Sequence, residues 1–245
     1  MRKFKGIAID SDPLIFEVTE GSYIKDNQFE NEQVKLKPYK ERFRKLILDI
    51  QEEVFADCLG KYKIGNKVKV LLSDADTNFR YDIFPAYKAN RKASTRSELF
   101  YRLRKWVLKE YGYVKNVEAD DRCKHYIDKG YIICAMDKDI IKGLSGVHFD
   151  TYHTRRFTSE TSITDATNFN YLQTLMGDST DGIVGIRGVG EKTARKLLDE
   201  YGWSWGGVIK AYESKGLTKQ DAQLNARLVL LTQWSPKKGI RLIKL

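Results

Sequence analysis

Carboxylates in short clusters are the residues of this chain best able to do chemistry. Residues 117–121 read Val-Glu-Ala-Asp-Asp, which puts Glu118, Asp120 and Asp121 side by side. On a helix Glu118 and Asp121 share one face as i,i+3 neighbours, with Asp120 next to them. Such charges repel one another unless a cation or basic side chains stand close. Asp137 and Asp139 follow the apolar run 131–135, and on an extended backbone they point the same way. Asp178 and Asp181 open a glycine-rich stretch, Asp10 ends the apolar run 7–9, and Asp74 closes the run 67–73. Taken singly, each cluster reads as an acidic helix start or a polar strand end. Together the donors are all oxygen, which suits Mg²⁺ or Mn²⁺ better than zinc.

The elements that must position these acids alternate. Residues 4–9 and 67–73 read as buried strands of a parallel sheet, each with a carboxylate at its carboxyl end, where ligands bind in open α/β sheets. Residues 131–135 read as a third strand and 147–152 as a short strand or hairpin arm. Helical spacing covers 38–59, with Phe43, Leu46, Ile47, Ile50, Val54 and Phe55 on one face. Helices are also expected at 120–129 and 164–176, the latter capped by Thr164 or Asp165. Asp12 either assists Asp10 or begins the next helix. Residues 20–40 read as an exposed connection or weak hairpin. The expected fold class is α/β: a central, mostly parallel sheet flanked by helices.

Between Arg80 and Lys115, ten Lys or Arg face only Asp82, Glu98 and Glu110. Tyr81, Phe84, Tyr87, Phe100, Tyr101 and Trp106 are interleaved with them. Cations on phosphates and aromatics on bases are what a single-strand path needs. Lys88 and Arg91 are the expected phosphate contacts, with Arg80, Tyr87 and Lys92 along the same path. Leu99, Leu103, Trp106 and Val107 instead form a stripe that faces the core.

Further on, Gly185, Gly188 and Gly190 permit a tight turn before a helix starting near Glu191. Such a turn leaves N–H groups at a helix N-terminus for a nucleic-acid phosphate, with Lys192 and Thr193 beside them. The Gly-Lys-Ser/Thr spacing of a Walker loop is absent. Residues 196–234 read as helical, broken at Gly206 and Gly207 and packed by Trp203 and Trp205. Residues 240–245 read as a strand-like end.

Composition bounds the rest. The chain has 245 residues, 42% of them apolar, and a formal net charge of +10. That length fits one large α/β domain or a domain with an appendage, and the charge points to a polyanionic partner. No apolar run approaches a membrane span or a signal-peptide core. Cys58, Cys123 and Cys134 are scattered, and His125, His148 and His153 have no ligand spacing. A disulfide framework or zinc site is therefore not expected, and a reducing, cytoplasmic compartment is.

In this order, the carboxylates Asp10, Asp74, Glu118, Asp120, Asp121, Asp137, Asp139, Asp178 and Asp181, the Phe-Arg…Tyr-Lys-Ala-Asn-Arg segment and the Gly-Asp-Ser-Thr-Asp…Gly-Val-Gly-Glu-Lys-Thr-Ala segment resemble the 5′-nuclease superfamily of flap endonucleases. The compact length is similar to that of bacteriophage 5′→3′ exonucleases and of the 5′-nuclease domain of bacterial DNA polymerase I. The resemblance implies a monomeric, metal-dependent enzyme that hydrolyses phosphodiesters near DNA 5′ ends or flaps by a two-metal mechanism. It also implies work in phage DNA replication and primer removal, within the host cytoplasm, with RNA–DNA hybrids as further substrates. Glu118, Asp120, Asp121 and Asp137 would lie nearer the first metal, and Asp139, Asp178 and Asp181 nearer the second. Asp10 and Asp74 would complete the pocket.

By the same resemblance Lys88 and Arg91 open a helical gateway or arch spanning about 80–115 and touch the scissile phosphate. Residues 185–194 would be a helix–three-turn–helix that grips duplex DNA and binds K⁺. The resulting division is an α/β nuclease core over 1–160 and a helical duplex-binding region over 161–245. Asp10-Ser11-Asp12 departs from the family's Asp-Gly, and the step from Asp74 to Phe79 is one residue short, which leaves Asp76 as an alternative to Asp74. The segment from Arg91 to Glu118 is short for a threaded arch. The competing readings are a non-catalytic, structure-specific DNA-binding protein on the same fold and a metal-dependent RNase.

Overall fold

The structure is a computed structural model that describes residues 1–20, 35–74, 76–90, 96–152, 156–231 and 234–241. Its centre is a sheet of β1 (Arg2–Asp10), β2 (Tyr62–Leu71), β3 (Ile132–Ala135), β4 (Gly146–Asp150) and β5 (Thr158–Thr161). The order is β2-β1-β3-β4-β5, with every pair parallel except β4–β5. Ile7, Ile9, Ile132 and Ile133 are fully buried, as strands covered on both faces require. The expected mostly parallel α/β sheet is therefore what the chain forms, and the carboxyl ends of β1, β2 and β3 lie along one edge.

One face is covered by α1 (Asp12–Glu20), α2 (Lys37–Asp57) and α4 (Glu98–Tyr111), which share one apolar cluster with Phe4, Ile9 and Phe149. Leu103 and Val107 of α4 are buried there and Trp106 packs at its margin, as the apolar stripe predicts, whereas Leu99 is half-buried and outside that cluster. On the other face α5 (Ala119–Asp128) and α6 (Lys138–Gly143) enclose Ala8, Ile133 and Ala135. The short α3 (Phe79–Ile83) leads into turns over residues 85–90. α3, the turns and α4 lie within the described parts of the expected gateway. Arg91 and Lys92 lie outside the described residues, as does His153.

A second cluster joins α7 (Ile163–Met176), α8 (Glu191–Tyr201), α9 (Trp205–Glu213) and α10 (Lys219–Val229), with Trp203 and Trp205 packed against it. Two boundaries differ from the sequence reading. Ser162, not Thr164 or Asp165, caps α7 by accepting a hydrogen bond from Asp165 N at 3.0 Å. The break expected at Gly206–Gly207 falls instead at Gly202–Ser204, because the Ser204 hydroxyl accepts from Gly207 N and starts α9. Gly207 lies inside the helix, and the position demands glycine, since a Cβ there would meet Gly202 O at 1.8 Å. A small hairpin, β6 (Trp234–Ser235) with β7 (Gly239–Ile240), closes the described chain, and residues 242–245 lie outside it. No described helix is long and apolar enough to cross a membrane.

Candidate active site

Asp10 is the last residue of β1, and the chain turns at once into α1 so that Asp12 faces the same space. Asp137 caps α6, accepting from Asp139 N at 2.8 Å, so the end of β3 and the first turn of α6 present both acids together. Glu118 and Asp120 come from the start of α5. Asp178 and Asp181 come from the turn after α7, which is closed on itself by hydrogen bonds between Asp178 and Ile183. These segments bound one open cavity of about 570 Å³.

Seven of the nine carboxylates expected from the sequence line this cavity: Asp10, Glu118, Asp120, Asp137, Asp139, Asp178 and Asp181. Two do not. Asp74 is turned into its own loop, where it accepts from Asn116 N, Asp76 N and the Thr77 hydroxyl. Burial would raise its pKa, but these donors pull it below the usual carboxylate value. Its alternative, Asp76, is exposed and borders a separate groove with Tyr81, Asp82 and Lys115. Asp12 is the carboxylate that this part of the pocket contains instead, accepting from Ser73 N at 2.9 Å and standing 3.5 Å from Arg104.

Asp121 is the second. Both its oxygens are taken by Arg80, at 2.6 and 2.8 Å, and the two side chains are 0% and 1% exposed. Arg80 therefore does not match its expected place among the DNA-contacting cations: it is buried among acids. Breaking such a pair leaves an uncompensated buried charge, at a cost of about 3–5 kcal/mol. Tyr87 departs from the expectation for the same reason. Its ring is buried, and its hydroxyl lies 3.0 Å from Glu118 and 2.9 Å from Asp181, with one proton to share between them, so it braces acids and offers no stacking face.

Lys88 behaves differently. It takes a left-handed backbone, with φ of 58°, and its N–H donates to Asp181 O at 2.8 Å. This throws its ammonium into the cavity, where it pairs with Glu118 and lies 3.6 Å from Asp181. Burial alone would raise the Glu118 pKa, but Lys88 and Arg80 turn the net shift downward. At Asp10 and Asp120 such relief is too weak to turn the shift. Burial, then Asp12 and Asp137 for the one and Glu118 and Asp121 for the other, push their pKa values well up. Burial and Asp137 push Asp139 up to about 7.

Those shifts test the pocket for a divalent ion. Acids that resist ionisation together, and that offer oxygen as their ligand atoms, fit a hard cation that would remove the repulsion. Carboxylate oxygens of Glu118, Asp120 and Asp121 lie within 4.8 Å of one another, although Arg80 already holds Asp121. The linkage has a definite sign. An acid whose folded pKa is raised binds more protons folded than unfolded, so without metal it costs stability as pH rises. For Asp139 the loss runs between 3.8 and about 7. The melting temperature in EDTA should fall across that window, and the gain on adding Mg²⁺ should grow with pH. Thermal melts at pH 5 and pH 8, with and without the ion, read both.

Beside the cavity, Gly177 and Gly185 let the two ends of the turn touch. Both have positive φ, and a Cβ would lie 2.2 Å from Ile183 O at the first and 2.3 Å from the Met176 carbonyl carbon at the second. Asn225 of α10 accepts from Gly185 N at 3.2 Å and braces the turn from behind, a contact no sequence signal announced. Gly188 and Gly190 are exposed, and Gly190 precedes α8 with no side-chain cap. Lys192 and Thr193 stand exposed in the first turn of α8. On the far wall the sequence reading missed Phe16 as a lining residue, and it did not single out Arg96, Phe100 and Arg104 from the basic run.

No family model matches the chain. It is 32% identical over 146 residues to a 5′-3′ exonuclease of Bacillus subtilis, covering 50% of this chain and 48% of that one. It is 32% identical over 111 residues to the flap endonuclease Xni of Colwellia psychrerythraea, covering 41% of this chain and 38% of that one. The chain thus spans about half or less of the length of these curated relatives. The solved structure of the bacteriophage T5 D15 protein co-crystallised with metal ions superposes with a TM-score of 0.69 at 20% identity, over 94% of this chain and 90% of that one. The fold is shared with that protein, and the names of the relatives agree with the resemblance to the 5′-nuclease superfamily drawn from the ordered motifs.

Proposed function

We propose that this protein is a metal-dependent 5′→3′ exonuclease and flap endonuclease acting near DNA 5′ ends. The observation that carries the reading is the convergence of seven of the expected carboxylates in one cavity, with a lysine among them and a braced, glycine-rich helix–turn–helix at its edge. Two Mg²⁺ or Mn²⁺ ions would be held by Asp10, Glu118, Asp120 and Asp137 on one side and Asp139, Asp178 and Asp181 on the other. Ions so held supply an activated water and charge stabilisation for the departing oxygen. In the reaction water adds to phosphorus and the bond to the 3′ oxygen breaks. The products are a 5′-phosphate and, after protonation from solvent, a 3′-hydroxyl.

The side chains contribute in distinct ways. Lys88 offsets charge on the scissile phosphate. Gly188, Gly190, Lys192 and Thr193 offer backbone N–H and side-chain donors to a duplex phosphate, and the same turn takes K⁺. Arg91 and Lys92, next along the basic run, continue the phosphate path. Backbone contacts of this kind do not read sequence, so RNA–DNA hybrids fall within the substrate class.

The test is a 5′-labelled flap and a 5′-recessed duplex incubated with Mg²⁺ or with EDTA, with products sized. Metal-dependent release from the 5′ side is expected, and fragment length separates flap cutting from stepwise digestion. Tight binding with no cleavage in any divalent ion would turn the reading into that of a DNA-binding protein.

A further inference from the structure

We infer that Arg80 is a positioning residue which sets the carboxylates of α5 against the end of α10, and that Asp121 acts as its partner and not as a metal ligand. The inference rests on the metal-dependent reading above. The Arg80 guanidinium reaches two separate segments. Nη1 and Nη2 donate to the two oxygens of Asp121, and Nη1 also reaches Glu118 Oε2 at 3.2 Å. Nε donates to Leu228 O at 2.8 Å, and Nη2 stands 3.5 Å from Leu230 O. Leu228 lies in the last turn of α10, where carbonyls have no partner within the helix and carry the negative end of its dipole. One planar cation therefore ties the start of α5 to the finish of α10, and its own helix, α3, leads directly into the Lys88 turn.

The consequence for the pocket is geometric. Asp121 N donates to Asp120 Oδ1 at 2.8 Å, so fixing Asp121 also fixes the carboxylate of Asp120. Glu118 is held between Arg80, Tyr87 and Lys88, and its remaining reach is into the cavity. Asp121 does not line that cavity and is fully buried. Lysine cannot replace this arrangement. It keeps the charge but lacks the fork that spans two carboxylate oxygens and a carbonyl at once.

The experiment measures Mn²⁺ binding without DNA, by loss of the free-ion EPR signal, in the wild type, Arg80→Lys, Asp121→Asn and the double variant. Each single change should weaken binding by about 10- to 100-fold, the range for groups that orient ligands. The double variant should be little worse than Arg80→Lys alone, because both changes break the same Arg80–Asp121 pair. Turnover on flap DNA should fall in kcat with KM unchanged, and duplex affinity in EDTA should stay that of the wild type. Losses that add in the double variant would make Asp121 an independent ligand and overturn the inference, as would unaltered Mn²⁺ binding in folded Arg80→Lys.

If the variants fail to fold, the wild type still decides. The Arg80 Nη–H resonances, whose protons point at Asp121, should be protected from exchange both without Mg²⁺ and at saturation. Protection lost on adding the ion would show Asp121 leaving Arg80, and would overturn the assignment. A wild type that takes up no Mn²⁺ would overturn the metal-dependent reading itself, and this inference with it.

Discussion

Asp120→Ala is expected to abolish cleavage while leaving duplex DNA binding within about twofold of the wild type. Asp120 is placed by the first turn of α5, accepts only the N–H of its neighbour Asp121 among the contacts described for it, and faces the cavity. Its pKa is pushed well up by burial, then by Glu118 and Asp121, with Arg80 and Lys88 too weak to offset them. A carboxylate in that setting costs the metal-free protein stability and returns it only when a cation arrives. Removing it should therefore raise the melting temperature in EDTA and shrink the gain on adding Mg²⁺. Loss of one such charge from a metal site exceeds a typical single-donor effect of about 10²- to 10³-fold. Gel-shift affinity in EDTA, single-turnover cleavage in Mg²⁺ and paired melts make up the test. Full cleavage by the folded variant would sink the assignment of this pocket as the active site.

The sheet and most of the pocket could be read from sequence because each signal was local. An apolar run followed at once by an acid describes Asp10 and Asp137 equally well, and parallel strands bring such ends to one edge. Asp74 obeyed the same pattern and still went elsewhere. Its loop supplies donors from Asn116 and Thr77, residues whose proximity no spacing reveals, and those donors capture the carboxylate.

Arg80 and Tyr87 failed for a related reason. A basic, aromatic run is read as a surface path, but two of its members are buried because the acids of α5 and Asp181 lie opposite them. Pairing across 41 positions of chain, as between Arg80 and Asp121, is a property of the fold. The glycine-rich turn was legible through Gly185, whose conformation and crowding both demand glycine, whereas the support from Asn225 was not.

Lys88→Ala should lower kcat by about 10²- to 10³-fold, in keeping with loss of one preorganised cationic donor, and leave duplex affinity nearly unchanged. The backbone explains why this lysine differs from the exposed ones. A non-glycine residue at φ of 58° is held there at a cost of about 1–3 kcal/mol, and here the hydrogen bond from its N–H to Asp181 O does the holding. That bond survives truncation to alanine, so the turn should persist and only the ammonium should be lost.

The ammonium now bridges Glu118 and Asp181, which raises its own pKa although burial opposes this, so it stays charged through the neutral range. A lysine so placed competes with a divalent ion for the same oxygens. Lys88→Ala should therefore bind Mn²⁺ as tightly as the wild type or more tightly, the opposite of what Arg80→Lys should do. Cleavage should fall even so, because the phosphate has lost its partner. Reduced duplex affinity with kcat intact would instead move Lys88 out of the active site and onto the DNA path. A parallel fall in Mn²⁺ affinity and kcat would mean that Lys88 shapes the pocket and does not act on the phosphate.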